Sequence, residues 1–191
     1  MENTNEMLSL TESEMLNLWK NLFQLQPTRT DCTLERIDGI DLDEFLLLNI
    51  RKWYAQLLLT APQNIVPIVD VKDQVTISVA DNGVVKASVP PECVRPVEWK
   101  LAGWEKSVTQ FLSPNAPETA ELHNEWTRPA AYNPAIIDHG NHLLLFSQPD
   151  GSDAVLELAR CVVRPADGSY QFHRSALSTI PRWSEIAPFT L

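Results

Sequence analysis

Apolar residues in this chain recur first at helical spacing and later at every second position, and the period changes near residue 65. Met15, Leu18, Trp19, Leu22 and Phe23 stand three and four apart, which predicts a helix with one buried face. Thr11 and Glu14 have the spacing of a capping box, with Leu10 and Met15 placed as a hydrophobic staple, and Pro27 stops the pattern. After a polar connector, Asp41 as cap, Glu44 as its partner and Ile40 with Phe45 as staple predict a second helix, ended by Ala61-Pro62. Phe45, Leu46, Leu48, Ile50, Trp53, Tyr54, Leu57 and Leu58 leave only Asn49, Arg51, Lys52 and Gln56 as its polar side. A helix apolar on most faces must be covered on most faces. A sheet is expected on one side of it and a neighbouring subunit on the other.

From Ile65 onward the pattern is that of strands. VTISVA and VVKASV flank Asp81-Asn82-Gly83, a tight hairpin turn, and put Val75, Ile77 and Val79 on one face. Cys93 to Leu101 reads as a strand whose Pro96 requires an edge or a bulge. Ser107 to Leu112 suggests a short strand, and Pro117 to Trp126 an inserted helix. Pro134 to Asp138 and His142 to Ser147 form a hairpin around His139-Gly140-Asn141. Turns at Pro149-Asp150-Gly151 and Asp167-Gly168 precede strands at Ala154 to Val163 and Tyr170 to His173. The tail, broken by Pro181 and Pro188, holds at most a short helix.

The expected fold class is α+β. An N-terminal helical pair packs on a mainly antiparallel sheet or sandwich of about six to eight strands with one inserted helix. The helical region spans 1–62, the β-rich region 63–174 and the tail 175–191, read together as one compact domain.

Composition narrows the function classes. A net charge of -10 opposes a tight grip on a phosphate backbone, yet suits the wall of a passage through which DNA slides. Cys32, Cys93 and Cys161 are odd in number and widely spaced, which predicts buried reduced thiols. No apolar run approaches the ~20 residues that span a bilayer. The acidic, polar start is unlike a signal peptide, so the chain is expected to be intracellular when made.

Candidate chemistry is sparse. Asp138, His139 and His142 are the only cluster resembling a metal site. Gly140-Asn141-His142 occurs as a triplet in metallophosphoesterases, but Leu143 stands where that motif has an acidic residue, so a turn is the expected reading. His123 and His173 read as surface residues. No nucleophile elbow, P-loop or dinucleotide fingerprint is present. No catalytic, cofactor or metal site is expected, and no enzyme. Six Trp residues point instead to interfaces. Trp19 and Trp53 read as core. Trp104 after Gly103, Trp126 before Thr127-Arg128-Pro129, Trp183 and Phe189 of the tail, and Trp53 on its apolar helix are the interface candidates.

The stretch V-P-P-E-C-V-R-P-V-E-W-K-L-A-G-W-E-K-S-V-T-Q-F, followed by Asn133, Pro134, Gly140, Leu143, Leu145 and Ser147, resembles a segment of virion neck proteins. Those proteins belong to tailed phages of gut Bacteroidales, including crAss-like phages. The similarity covers roughly Pro90 to Val163 and is carried mostly by turns and alternation. It implies a ring or adaptor of the head–tail junction, assembled as a cyclic homo-oligomer around the DNA channel. Its partners would be copies of itself, portal and tail proteins, and genome DNA passing through without sequence-specific binding. No membrane is involved, and the expected location is the virion, assembled in the host cytoplasm. At its end the chain departs from that pattern, because Pro181 and Pro188 stand where a longer helical region belongs. The competing class is a small bacterial or prophage-encoded protein-binding module without catalytic activity, using the loops near Trp104 and His139.

Overall fold

Thr11 and Glu14 close the capping box. The Glu14 N–H donates to the Thr11 hydroxyl at 3.3 Å, and the Thr11 N–H donates to the Glu14 carboxylate at 2.8 Å. Both amides belong to the helix start, where no intrahelical acceptor exists. Thr11→Ala is expected to cost about 1 kcal/mol, read as a fall in melting temperature of about 2–4 °C. The Glu14 carboxyl is held below the usual glutamate range, first by the Thr11 N–H and then by its hydroxyl. Its contribution is full above the unfolded value and disappears as pH falls through the lowered folded one.

The computed structural model describes residues 7–25, 41–80, 83–124, 126–147 and 154–186. Expectations at Pro27, Cys32, Ile40, Asp81, Asn82, the 149–151 turn, Pro188 and Phe189 lie outside them. In chain order, β1 (Met7–Thr11) leads into α1 (Glu12–Leu22), and α2 (Leu42–Thr60) follows. Next come β2 (Ile68–Asp70), β3 (Ile77–Val79), β4 (Val85–Ser88), β5 (Cys93–Leu101) and α3 (Thr119–Leu122). Then follow β6 (Ile136–Asp138), β7 (His142–Leu145), β8 (Leu156–Val163), β9 (Ser169–His173) and α4 (Trp183–Ile186). The fold is α+β, with N-terminal helices and antiparallel sheets. No described helix is long and apolar enough to cross a membrane.

The chain forms two compact units, one from Met1–Pro67 with Pro165–Leu191 and the other from Ile68–Arg164. In the first, α1 and α2 pack beside a two-stranded antiparallel sheet of β1 and β9, paired from Met7↔His173 to Thr11↔Ser169. Aromatic rings join the elements. Trp19 meets Phe23 at 5.5 Å and Trp53 at 6.1 Å, and Trp53 stands edge-on to Phe172 at 5.4 Å. The Tyr54 hydroxyl donates to the Gln171 carbonyl and accepts from its N–H, both at 3.0 Å, which fastens α2 to β9. On the surface, Lys20 pairs with Asp43 and Arg51 with Glu12. Such exposed pairs contribute at most about 1 kcal/mol each.

The second unit is a sandwich. A three-stranded sheet, β2-β8-β5, and a four-stranded sheet, β3-β4-β7-β6, share one apolar core. From β5 and β8 come Trp99, Leu101, Leu156, Ala159 and Cys161, and from β4, β6 and β7 come Val85, Ala87, Ile136, Leu143 and Leu145. Alternation sends Ile137 to the other face of the four-stranded sheet, where Val84, Phe146 and Leu122 of α3 form a smaller cluster. β5 is an edge strand, and its pairing with β8 slips between Pro96 and Glu98, the irregularity that Pro96 requires. The chain returns at Val108 to cover that edge, exchanging two backbone hydrogen bonds with Trp99.

Some elements differ from the sequence reading. Among the described residues there are nine strands in three antiparallel sheets, against an expectation of about six to eight in a sheet or sandwich. β1 was not foreseen, and β9 pairs with it rather than with the β-rich region. The 107–112 segment makes isolated bridges at Val108 and Leu112, and the inserted helix contracts to Thr119–Leu122.

Candidate functional site

The Asp138–His142 cluster is a structural turn. The Asp138 carboxylate accepts from the Gly140 N–H at 2.7 Å, and Gly140 takes φ +83, a conformation that favours glycine. His139 and His142 stack face to face, with centroids 4.7 Å apart and planes 3° from parallel. Parallel rings send their nitrogen lone pairs side by side, whereas a shared metal needs them to converge. His142 Nδ1 is engaged with the Asn141 side-chain oxygen at 2.7 Å. Burial first, then Lys86 and His139, hold the His142 pKa below the usual histidine value against an opposing pull from Asp138. No group of three His, Cys, Asp or Glu among the described residues is placed to hold a metal.

The other histidines have structural posts. The exposed His123 ring stands edge-on to Phe146 at 5.5 Å. His173 caps the turn at Arg174–Thr179, its Nδ1 accepting from the Ser175 N–H. A shallow groove of about 480 Å³ lies over Glu14, Asn17, Leu18, Asn21 and Leu22 on α1. Its one ionisable side chain, Glu14, is already engaged in the helix cap.

The expected interface residues separate by exposure. Trp126 is 93% exposed. Trp104 is 2% exposed, and its indole N–H donates to the Ser147 carbonyl at 2.9 Å, so it is a core residue of the sandwich. Trp53 is buried and donates to the Thr179 hydroxyl at 3.2 Å. Trp183 is half-buried against Phe23 and Phe45.

The loop behind Trp126 is firmly held although its indole is not. Trp126 N–H donates to the Asn124 side chain at 3.0 Å, and the Thr127 hydroxyl donates to the Glu121 carbonyl at 2.6 Å. Arg128 donates to the Leu122 carbonyl at 3.2 Å and lays its guanidinium 5.7 Å from the Phe146 ring centre. Ser147, at φ +72, donates its hydroxyl to the Pro129 carbonyl while its own carbonyl receives Trp104. Glu105 N–H bonds Ala131, and Lys106 bonds Asn133. Farther along this loop Tyr132 is 64% exposed.

The helical unit has an exposed apolar stripe of its own. Leu48 and Leu59 stand out on α2 and lie on one helical face, since eleven residues make just over three whole turns. Their neighbours on that face are Lys52 and Ala55. No protein-family model matches this chain, and no curated protein matches it either.

Proposed function

We propose that this chain is a structural protein of a phage head–tail junction, a neck or tail ring or adaptor that closes into a cyclic oligomer around the DNA channel. Its neighbours in that ring are copies of itself, with portal and tail proteins above and below. It transforms no substrate. The phage assignment rests on the sequence resemblance between Pro90 and Val163. The structural observation that carries the assembly reading is Trp126, an almost fully exposed indole on a hydrogen-bonded loop. Large aromatic anchors whose backbone is already ordered lose little entropy on binding. The Leu48–Leu59 stripe supports a second contact surface, as a ring with different faces meeting between copies requires. The net charge of -10 suits a conduit wall that must not hold its polyanion.

Light scattering of the purified chain across concentration is expected to show a closed oligomer. Trp126→Ala is expected to weaken that assembly at least about thirtyfold per contact, the effect of losing a hot-spot indole. A wild-type chain that stays monomeric at every concentration would overturn the ring. The exposed Trp126 and Tyr132 would then favour a monomeric protein-binding module, with that loop as its binding edge.

A further inference from the structure

We propose that Cys93 and Cys161 form a redox-sensitive pair that closes to a disulfide under oxidising conditions. The inference is independent of the assembly reading. β5 and β8 are antiparallel neighbours, with Cys93 opposite Val163 and Pro96 opposite Cys161. A register slip between Cys93 and Arg95 takes up one β5 residue. Cys93 is therefore opposite a residue two positions from Cys161, and alternation puts those two β8 positions on the same face. Both cysteines belong to the sandwich core, Cys161 fully buried and Cys93 packed half-buried at its rim.

Each cysteine is the first influence on the other's acidity, with Cys161 raising the Cys93 pKa and Cys93 lowering that of Cys161. The Trp99 indole N–H, which has no hydrogen-bond partner, lowers Cys161 further. Cys93, half-buried, is the sulfur that an oxidant reaches, and Cys161, fully buried, is the nucleophile behind it.

With a peroxide as oxidant, the Cys93 sulfur gives two electrons to one peroxide oxygen. The O–O bond breaks, one water leaves, and Cys93 becomes a sulfenic acid. The Cys161 sulfur then attacks the Cys93 sulfur. The S–S bond forms, the S–O bond breaks, and the departing hydroxide takes the Cys161 proton as a second water. Two thiols and one peroxide thereby give one disulfide and two waters. The raised Cys93 pKa makes the first step slow at neutral pH and faster as pH rises.

The test uses the full chain carrying Cys32→Ser, which leaves only this pair, and hydrogen peroxide as the probe. Expected are the loss of both free thiols after unfolding, a mass loss of about 2 Da, and a peptide linking Cys93 to Cys161 that a reductant splits. The melting temperature should rise by about 5–10 °C, because the bridge closes a long loop in the unfolded chain. Adding Cys93→Ser should abolish the mass loss and the shift together. Two thiols surviving peroxide, a Cys93 sulfinic or sulfonic acid beside a free Cys161, or dimers joined between chains would each overturn the pairing.

Discussion

Replacing Trp19 by alanine is expected to remove about 3–5 kcal/mol of stability, the cost of deleting a large buried ring and leaving a cavity. Trp19 is 0% exposed and joins Phe23 of the α1 cap to Trp53 of α2. The loss should appear in a urea titration as a lower midpoint at unchanged slope. Trp19→Phe separates volume from polarity. The Trp19 indole N–H has no hydrogen-bond partner, so phenylalanine forfeits packing but no hydrogen bond. It should recover most of the stability. Trp126→Ala, by contrast, should move the folding midpoint by less than about 0.5 kcal/mol, because that ring packs on little within its own chain. Equal losses at Trp19 and Trp126 would contradict the described core.

Leu145→Asp is expected to be the most damaging single change in the sandwich. Leu145 pairs with Val85 on one side and Ile136 on the other, and all three are 0% exposed. A carboxylate there loses its water and gains no partner, at a cost of more than about 4 kcal/mol at neutral pH. Burial raises the folded pKa of the new group above its unfolded value of about 3.9. The variant's deficit should therefore be smallest below about pH 4, and should grow as pH rises through the raised folded value. Guanidinium melts of variant and wild type, compared at acidic and neutral pH, measure this difference. Leu145→Asn should lose packing without that pH dependence, and Val79→Asp on the exposed edge of the same sheet should be nearly silent.

Local signals made the helices legible. Thr11, Glu14 and Asp41 act on amides two or three residues away, and the sequence places them at both helix starts. Pro96 announced a bulge because a residue without an N–H cannot complete a ladder. β1 was hidden for the opposite reason. Its partner β9 lies far along the chain, and only Leu8 and Leu10 alternate to mark it. Gly103 correctly signalled a turn, with φ +82, but a turn does not say which way it throws the next side chain. Trp104 goes inward because the Ser147 carbonyl and the sandwich core are there, and both are set by residues far from it in sequence. The placing of Cys93 and Cys161 on neighbouring strands was equally invisible, since spacing in a chain carries no information about register between strands.

The uneven placement of the indoles gives the molecule a built-in optical probe. Trp126 alone among the described tryptophans stands almost wholly in water, while Trp19, Trp53, Trp99 and Trp104 are shielded inside the two units. A water-borne quencher such as iodide should darken the reddest part of the emission first, leaving the blue component of the shielded rings. Any neighbour that settles over that loop would shift the red component toward blue, so docking can be followed without a label.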